Sequence, residues 1–223
     1  TTALRSMAND VGVAYLNTYL KEVPFKTSKA GFKTLDISDP EDIIQAIEEL
    51  EEMDDIHTVV LDTITFLMDQ YEMQYVQTAT DTRAAWGGYG KFYKGVMHQI
   101  KSGTKNYIIL AHEQDIYNEK EMAIETKVPI KGSVGKTGVE ADFTTIIATK
   151  VVELEKLDGI VNDLLHITPR EETLGIKYVF QTYITKDTLH EKMRSHMDLW
   201  EDSELYIDND ISLVVKRIEE YYA

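Results

Sequence analysis

Short apolar runs that stop abruptly at polar residues set the strongest constraint on how this chain folds. His57–Leu61 leads into Asp62 and Thr63, and Tyr107–Leu110 leads into His112 and Glu113. Phe143–Thr149 has the same character, and Val11–Asn17 is a further short apolar run after Asp10. Runs of about four to eight such residues read as strands buried on both faces. Helical patterns lie between them. Ser38 or Asp39 as cap, with Pro40 at the first position, predicts a helix with Ile43, Ile44, Ile47 and Leu50 on one face. Its other face carries the run Glu41–Asp55, with eight acids and no base, a solvated surface. A second helical stretch covers Phe66–Tyr75. A third places Phe92, Val96 and Ile100 on one side. The alternation predicts an α/β fold: a mostly parallel sheet flanked by helices.

The last third reads differently. Leu164–Thr168 and Ile176–Thr185 predict antiparallel strands, and Ile211–Tyr222 predicts a closing helix capped by Asn209 or Asp210. Without a clear linker or repeat, the expectation is one domain over residues 1–223. Residues 1–150 would form the parallel core, and residues 151–223 the antiparallel strands and final helix.

Composition removes several classes of function. With no cysteine, disulfides and thiolate metal sites are excluded, and a cytoplasmic location fits. No stretch approaches the roughly 20 apolar residues of a membrane helix, so no membrane is expected as a partner. The six histidines show no H-E-x-x-H spacing, and no G-x-S-x-G elbow is present. A net charge of -16 repels phosphate backbones at long range, so nucleic acid would have to be met by local basic loops. Arg83–Lys105 has five bases and no acid, and Lys127–Val139 also has bases and no acid.

Asp62 is the residue with the most chemistry. In an open parallel sheet the carboxyl ends of the strands line the ligand crevice. A lone carboxylate there suits Mg²⁺, a hard cation that keeps several waters and needs one or two carboxylates. If the two strands are neighbours, Asp62 and His112 stand side by side. The plainer alternative is that Asp62 caps the helix that follows it. The phosphate loop G-x-x-x-x-G-K-[ST] does not occur. "GSVGKT" (Gly132–Thr137) has only two residues between its glycines, follows no strand, and reads as a flexible basic loop.

In order and spacing, "TTALRSMAND", "AYLNTYLKEVPF", "HTVVLDTITFL", "WGGYGKFYKGVM", "YIILAHEQD", "VPIKGSVGKTGVEADFTTII" and "KMRSHMDLW" resemble the RecA-like P-loop ATPases of bacteriophages, the single-strand-annealing recombinase group in particular. The resemblance covers most of the chain. It implies an ATPase using ATP and Mg²⁺ and acting on single-stranded DNA. It also implies self-assembly as a ring or filament, in the host cytoplasm, alongside other phage replication or recombination proteins. It places the phosphate loop ahead of Thr1, with Thr1 and Thr2 following its lysine and the Thr1 hydroxyl on Mg²⁺. Asp62 matches the Walker B aspartate, followed by Thr63, and His112 the polar sensor of the next strand. Lys192 and Arg194 match a basic pair offered to a neighbouring subunit's nucleotide. The catalytic glutamate has no clear counterpart: Thr18 and Tyr19 stand where an acid is expected, and Glu22 comes several residues late. Strand-binding loops would span Met68–Gly90 and Gln114–Gly138. They carry Arg83, Trp86, Tyr89, Tyr117, Lys127, Lys131 and Lys136, bases and aromatic platforms of the kind that bind any sequence. A nucleotide-binding scaffold or loader, or a helicase-type motor, would share this core.

Overall fold

The run that ends in Asp62 is one of the two inner strands of a four-stranded parallel sheet. In the computed structural model, which describes residues 1–27, 31–119 and 122–223, β1 (Val13–Asn17), β2 (Lys33–Asp36), β3 (Thr58–Asp62) and β4 (Asn106–Leu110) align in the order β2-β1-β3-β4. All the pairs are parallel. β1 and β3 are buried along their whole length, as apolar strands flanked on both sides must be. β4 is an edge strand and is half-buried over Tyr107–Leu110.

The chain folds as two compact units. The first, comprising Thr1, Met7–Asp115 and Lys127–Asp142, holds the parallel sheet. It also holds α1 (Asp42–Glu51), α2 (Ile64–Tyr71), α3 (Thr82–Ser102) and α4 (Gly132–Thr137). α1 buries Ile43, Ala46, Ile47 and Leu50 and leaves its acids to solvent, as the apolar stripe requires. It starts two residues later than the sequence suggests. Asp39 does not cap it; the Asp39 carboxylate accepts the Glu41 N–H at 3.0 Å and the Tyr75 hydroxyl at 2.7 Å, so it fixes the turn ahead of the helix. α1 and α3 approach closely at Gly95, where a Cβ would lie 3.3 Å from Ile44 Cδ1.

Three expectations for residues 1–142 are corrected. Residues 68–90 are mainly helical. α2 runs on through a wider turn at Glu72–Val76, and α3 starts at Thr82, where the Asp81 carboxylate accepts the Ala84 N–H. Tertiary packing overrides Gly87, Gly88 and Gly90 in α3: a Cβ on Gly88 would stand 3.3 Å from the Tyr71 hydroxyl, so at that position glycine permits close approach rather than a loop. Second, the stretch after β4 is not a long loop but contains β5 (Gln114–Asn118) and β6 (Ala123–Lys127), a two-stranded sheet, followed by α4. α4 is the "GSVGKT" segment, a short helix instead of a flexible loop. Third, the parallel sheet gains β2, a strand with too few apolar residues to stand out in the sequence.

The second unit comprises Thr2–Ser6, Ile116–Thr126 and Phe143–Ala223. β7 (Ala148–Glu153), β8 (Ile176–Gln181) and β9 (Tyr206–Asp208) form an antiparallel sheet. The Phe143–Thr149 run is therefore not a strand of the parallel sheet; the strand starts at Ala148 and pairs with β8. Leu164–Thr168 is not a strand and leads into α5 (Pro169–Leu174). α6 (Ile211–Tyr222) is capped by Asp210, which accepts the Ser212 N–H at 2.9 Å. Its Val214 packs with Ala3, Phe180 and Ile207, and Lys177, 5% exposed, bonds Glu171 and Asp208 at 2.8 and 2.9 Å.

Among the described residues, no helix is long and apolar enough to cross a membrane.

Candidate functional site

The site lies where β2, β1, β3 and β4 end together. Register sets it: Asp36, Asn17, Asp62 and Leu110 are aligned neighbours across the four strands. Aligned residues of parallel strands point to the same face, and so do residues two apart along a strand. Tyr15 aligns with Val60 and so shares a face with Asp62. Its ring reaches along the strand, and its hydroxyl donates to Asp62 Oδ2 at 2.7 Å. The Thr1 hydroxyl donates to the same oxygen at 2.5 Å. Asp62 is only 4% exposed, so two hydroxyl donors hold a carboxylate that burial alone would penalise. Burial, and then the Asp62 hydrogen bond and charge, push the Tyr15 phenol well above its ordinary pKa, so it stays a donor.

Asp62 does not cap the helix that follows. Thr63 does: its hydroxyl accepts the Phe66 N–H at 3.1 Å. The carboxylate is thereby left to the strand ends. The Asp62–Thr63 peptide is cis. Thr18 fastens β1 to this corner, its hydroxyl donating to Asp62 O at 2.9 Å and accepting the Thr63 N–H at 2.9 Å. Gln70, on α2, donates to Thr18 O at 3.0 Å.

His112 follows the end of β4 by two residues, next to the end of β3. Its backbone N–H donates to Thr65 Oγ1 at 3.0 Å, and its ring meets Tyr19 edge-on at 5.7 Å. Tyr19 in turn stacks on Phe66 at 4.3 Å, and Lys21 Nζ lies 4.3 Å over the Tyr19 ring. The parallel pairing thus brings Asp62 and His112 to the same, carboxyl end of the sheet. Glu22 is exposed in the loop after β1.

A hard divalent cation takes oxygen donors and few carboxylates. The Asp62 carboxylate and the Thr1 hydroxyl, already in contact, fit that donor set. No cluster of three or more His, Asp or Glu side chains that could hold a metal occurs among the described residues.

The other expected site residues divide between the two units. Thr2 is exposed and belongs to the second unit, as do Lys192 and Arg194; the latter two are exposed, and Arg194 pairs through its backbone with Ile146. Arg83 is exposed near the start of α3, whereas Trp86 is half-buried and edge-on to Tyr89 at 5.1 Å. Tyr89 is 2% exposed, packed edge-on to Tyr71, and burial above all raises its phenol to about 12. Lys127 is half-buried at the end of β6. Lys131 is ion-paired with Glu72 at 2.7 Å, and Lys136 is exposed on α4.

Tyr15, Asn17 and Asp36 join the site only in three dimensions, and Thr18 enters it as a clamp on the backbone rather than as a stand-in for an acid. Tyr15 reads as one more core residue of an apolar run. The available signal is its parity: a hydroxyl two residues before the strand end can reach an acid on the next strand.

Comparison with protein-family models, with curated proteins and with solved structures finds no match to this chain.

Proposed function

We propose that this chain is an ATP-binding and ATP-hydrolysing protein of RecA-like architecture that acts on single-stranded DNA. The observation that carries the reading is the Thr1–Asp62 hydrogen bond at the end of a buried parallel strand. A hydroxyl and a carboxylate in that contact are the pair that shares a Mg²⁺ ion beside nucleotide phosphates in P-loop proteins. Bound there, Mg²⁺ would neutralise charge on the phosphates, with Asp62 and Thr1 holding it. His112, at the end of the adjacent strand, suits the sensor role. Exposed Arg83 and Lys136 supply local positive charge for a strand of nucleic acid, despite the net charge of -16.

A second reading has one observation in its favour. No acid stands at Thr18 or Tyr19, and Glu22 is exposed in a loop, which fits a nucleotide-binding scaffold or loader that hydrolyses ATP slowly. Turnover of ATP by the full-length protein, with and without single-stranded DNA, separates the two. The proposal expects Mg²⁺-dependent turnover stimulated by the strand. Tight nucleotide binding without stimulation favours the scaffold, and duplex unwinding would identify a motor.

A further inference from the structure

Asn17 is 5% exposed, and its Oδ1 is buried without a hydrogen-bond partner among the described residues. Buried acceptors are nearly always satisfied, so an orphan at a strand end marks a place for a ligand or a water. The amide orientation is fixed by its other side. Nδ2 donates to Asp36 Oδ1 at 2.7 Å and to Lys21 O at 3.1 Å, two acceptors that the amide oxygen could not face. β1 lies between β2 and β3. With Nδ2 bonded to Asp36 of β2, Oδ1 lies on the other side of the planar amide; β3, with Asp62 in register, is the neighbouring strand on that side. Strands of a sheet are about 4.8 Å apart. Asp62 already accepts from Thr1 and Tyr15, so it is Asn17 Oδ1 that lacks a donor, and a water can supply one.

We propose that Asn17 Oδ1 positions the water that attacks ATP at this site, in place of the glutamate absent from Thr18 and Tyr19. The inference rests on the ATPase reading above. An amide cannot take the proton, so Asn17 orients and does not act as base, as a glutamine does in some GTPases. The water oxygen forms the new bond to the γ-phosphorus. The bond from that phosphorus to the β–γ bridging oxygen breaks, and ADP leaves with the electron pair. The water's proton passes to an oxygen of the phosphoryl group and then to solvent, giving ADP and inorganic phosphate. Asn17 is a positioning residue with the substrate water as its partner, and Asp36 holds the amide.

The test compares two complexes of the full-length protein with Mg²⁺. ADP with aluminium fluoride mimics the state in which the attacking water is in line; ADP with beryllium fluoride mimics bound ATP. In Asn17→Ala we expect turnover to fall about 100-fold, the loss that misplacing a reacting group brings. Affinity for the aluminium fluoride complex should fall at least about tenfold, while that for the beryllium fluoride complex stays unchanged. Asp36→Ala, which removes one of the two acceptors that hold the Asn17 amide, should lower turnover and aluminium fluoride affinity in the same direction but by a smaller factor, since Lys21 O still accepts from Nδ2. Unchanged turnover and unchanged aluminium fluoride affinity in Asn17→Ala overturn the proposal. Should that variant not fold, a structure of the wild type with the aluminium fluoride complex decides: the in-line water lies about 3 Å from Asn17 Oδ1, or, if another group holds it, the proposal is wrong. A wild-type protein that binds neither complex and turns over no ATP instead removes the ATPase reading itself.

Discussion

Tyr15 and Asp62 lie on neighbouring parallel strands and share a face, and the phenol donates to the carboxylate at 2.7 Å within the sheet's buried end. This bond ties the position of Asp62 to the core, because Tyr15 is 3% exposed and its ring stacks on Phe32. Tyr15→Phe removes the donor and little else. Hydrogen bonds to charged groups contribute about 1.5–3 kcal/mol, and the Thr1 hydroxyl keeps part of that here, so a loss of about 1–2 kcal/mol is expected. Urea unfolding reports it as a lower midpoint at constant slope. A midpoint equal to the wild type would mean that the phenol does not support Asp62.

Thr18→Val is nearly isosteric but deletes a hydroxyl that serves both as donor and as acceptor. It leaves the buried Thr63 N–H without the partner it has at 2.9 Å. An unsatisfied buried donor costs about 1–3 kcal/mol. Amide exchange at Thr63 should quicken with the drop in stability. Exchange as slow as in the wild type would show that another acceptor takes over.

How much of this corner can be read in the sequence depends on the residue. Asp62 and His112 stand out because a polar residue closing an apolar run is conspicuous, and the sheet makes their strands neighbours. The roles of the Tyr15, Asn17 and Asp36 side chains depend on register between strands, and no local pattern encodes register. β2 is hard to see because Lys33–Asp36 offers no apolar run at all. Arg83, Trp86 and Tyr89 read as loop residues because the glycines next to them weaken helix propensity, but packing against Tyr71 outweighs about 1 kcal/mol per glycine. In the second unit, β8 and the Asp210 cap of α6 are legible, since both follow from local alternation and capping. β7 lies further along than its apolar signal, because the run Phe143–Ile147 precedes the strand that pairs with β8.

Lys177 gives a pH prediction. Burial alone would lower its pKa, but Glu171 and Asp208 outweigh burial and raise it. For Glu171, burial would raise the pKa, yet hydrogen bonds from Lys177 and Thr168 outweigh that and lower it. A lowered carboxylate contributes stability above its unfolded value of 4.5, which is lost as pH falls through the folded value. A raised lysine contributes below its unfolded value of 10.5, which is lost as pH rises through the folded value. Lys177→Met should therefore cost about 1–3 kcal/mol at neutral pH, by leaving carboxylates unpaired, and should flatten the decline of stability in acid. The measurement is the thermal midpoint from pH 3 to pH 8, pH values chosen to span about the ordinary carboxylate range. A variant whose acid dependence parallels the wild type would rule out the ion pair as its source.

Arg83 and Lys136 are exposed bases of the first unit, whereas Tyr89 is core. Arg83→Glu with Lys136→Glu should weaken single-stranded DNA binding. It should also reduce the slope of log affinity against log salt by about 0.7 for each phosphate that is no longer neutralised. Tyr89→Ala should instead destabilise the fold by about 3–5 kcal/mol, as truncating a buried aromatic does. If the double charge reversal leaves affinity and slope as they were, the strand runs elsewhere.

In the proposed site, Asp62 holds Mg²⁺ beside a nucleotide. Asp62→Asn keeps the shape and removes the charge. Phosphate release by the full-length protein with Mg²⁺ and single-stranded DNA should fall by about 100-fold or more in this variant, with circular dichroism unchanged. Turnover equal to the wild type in that variant would contradict that role.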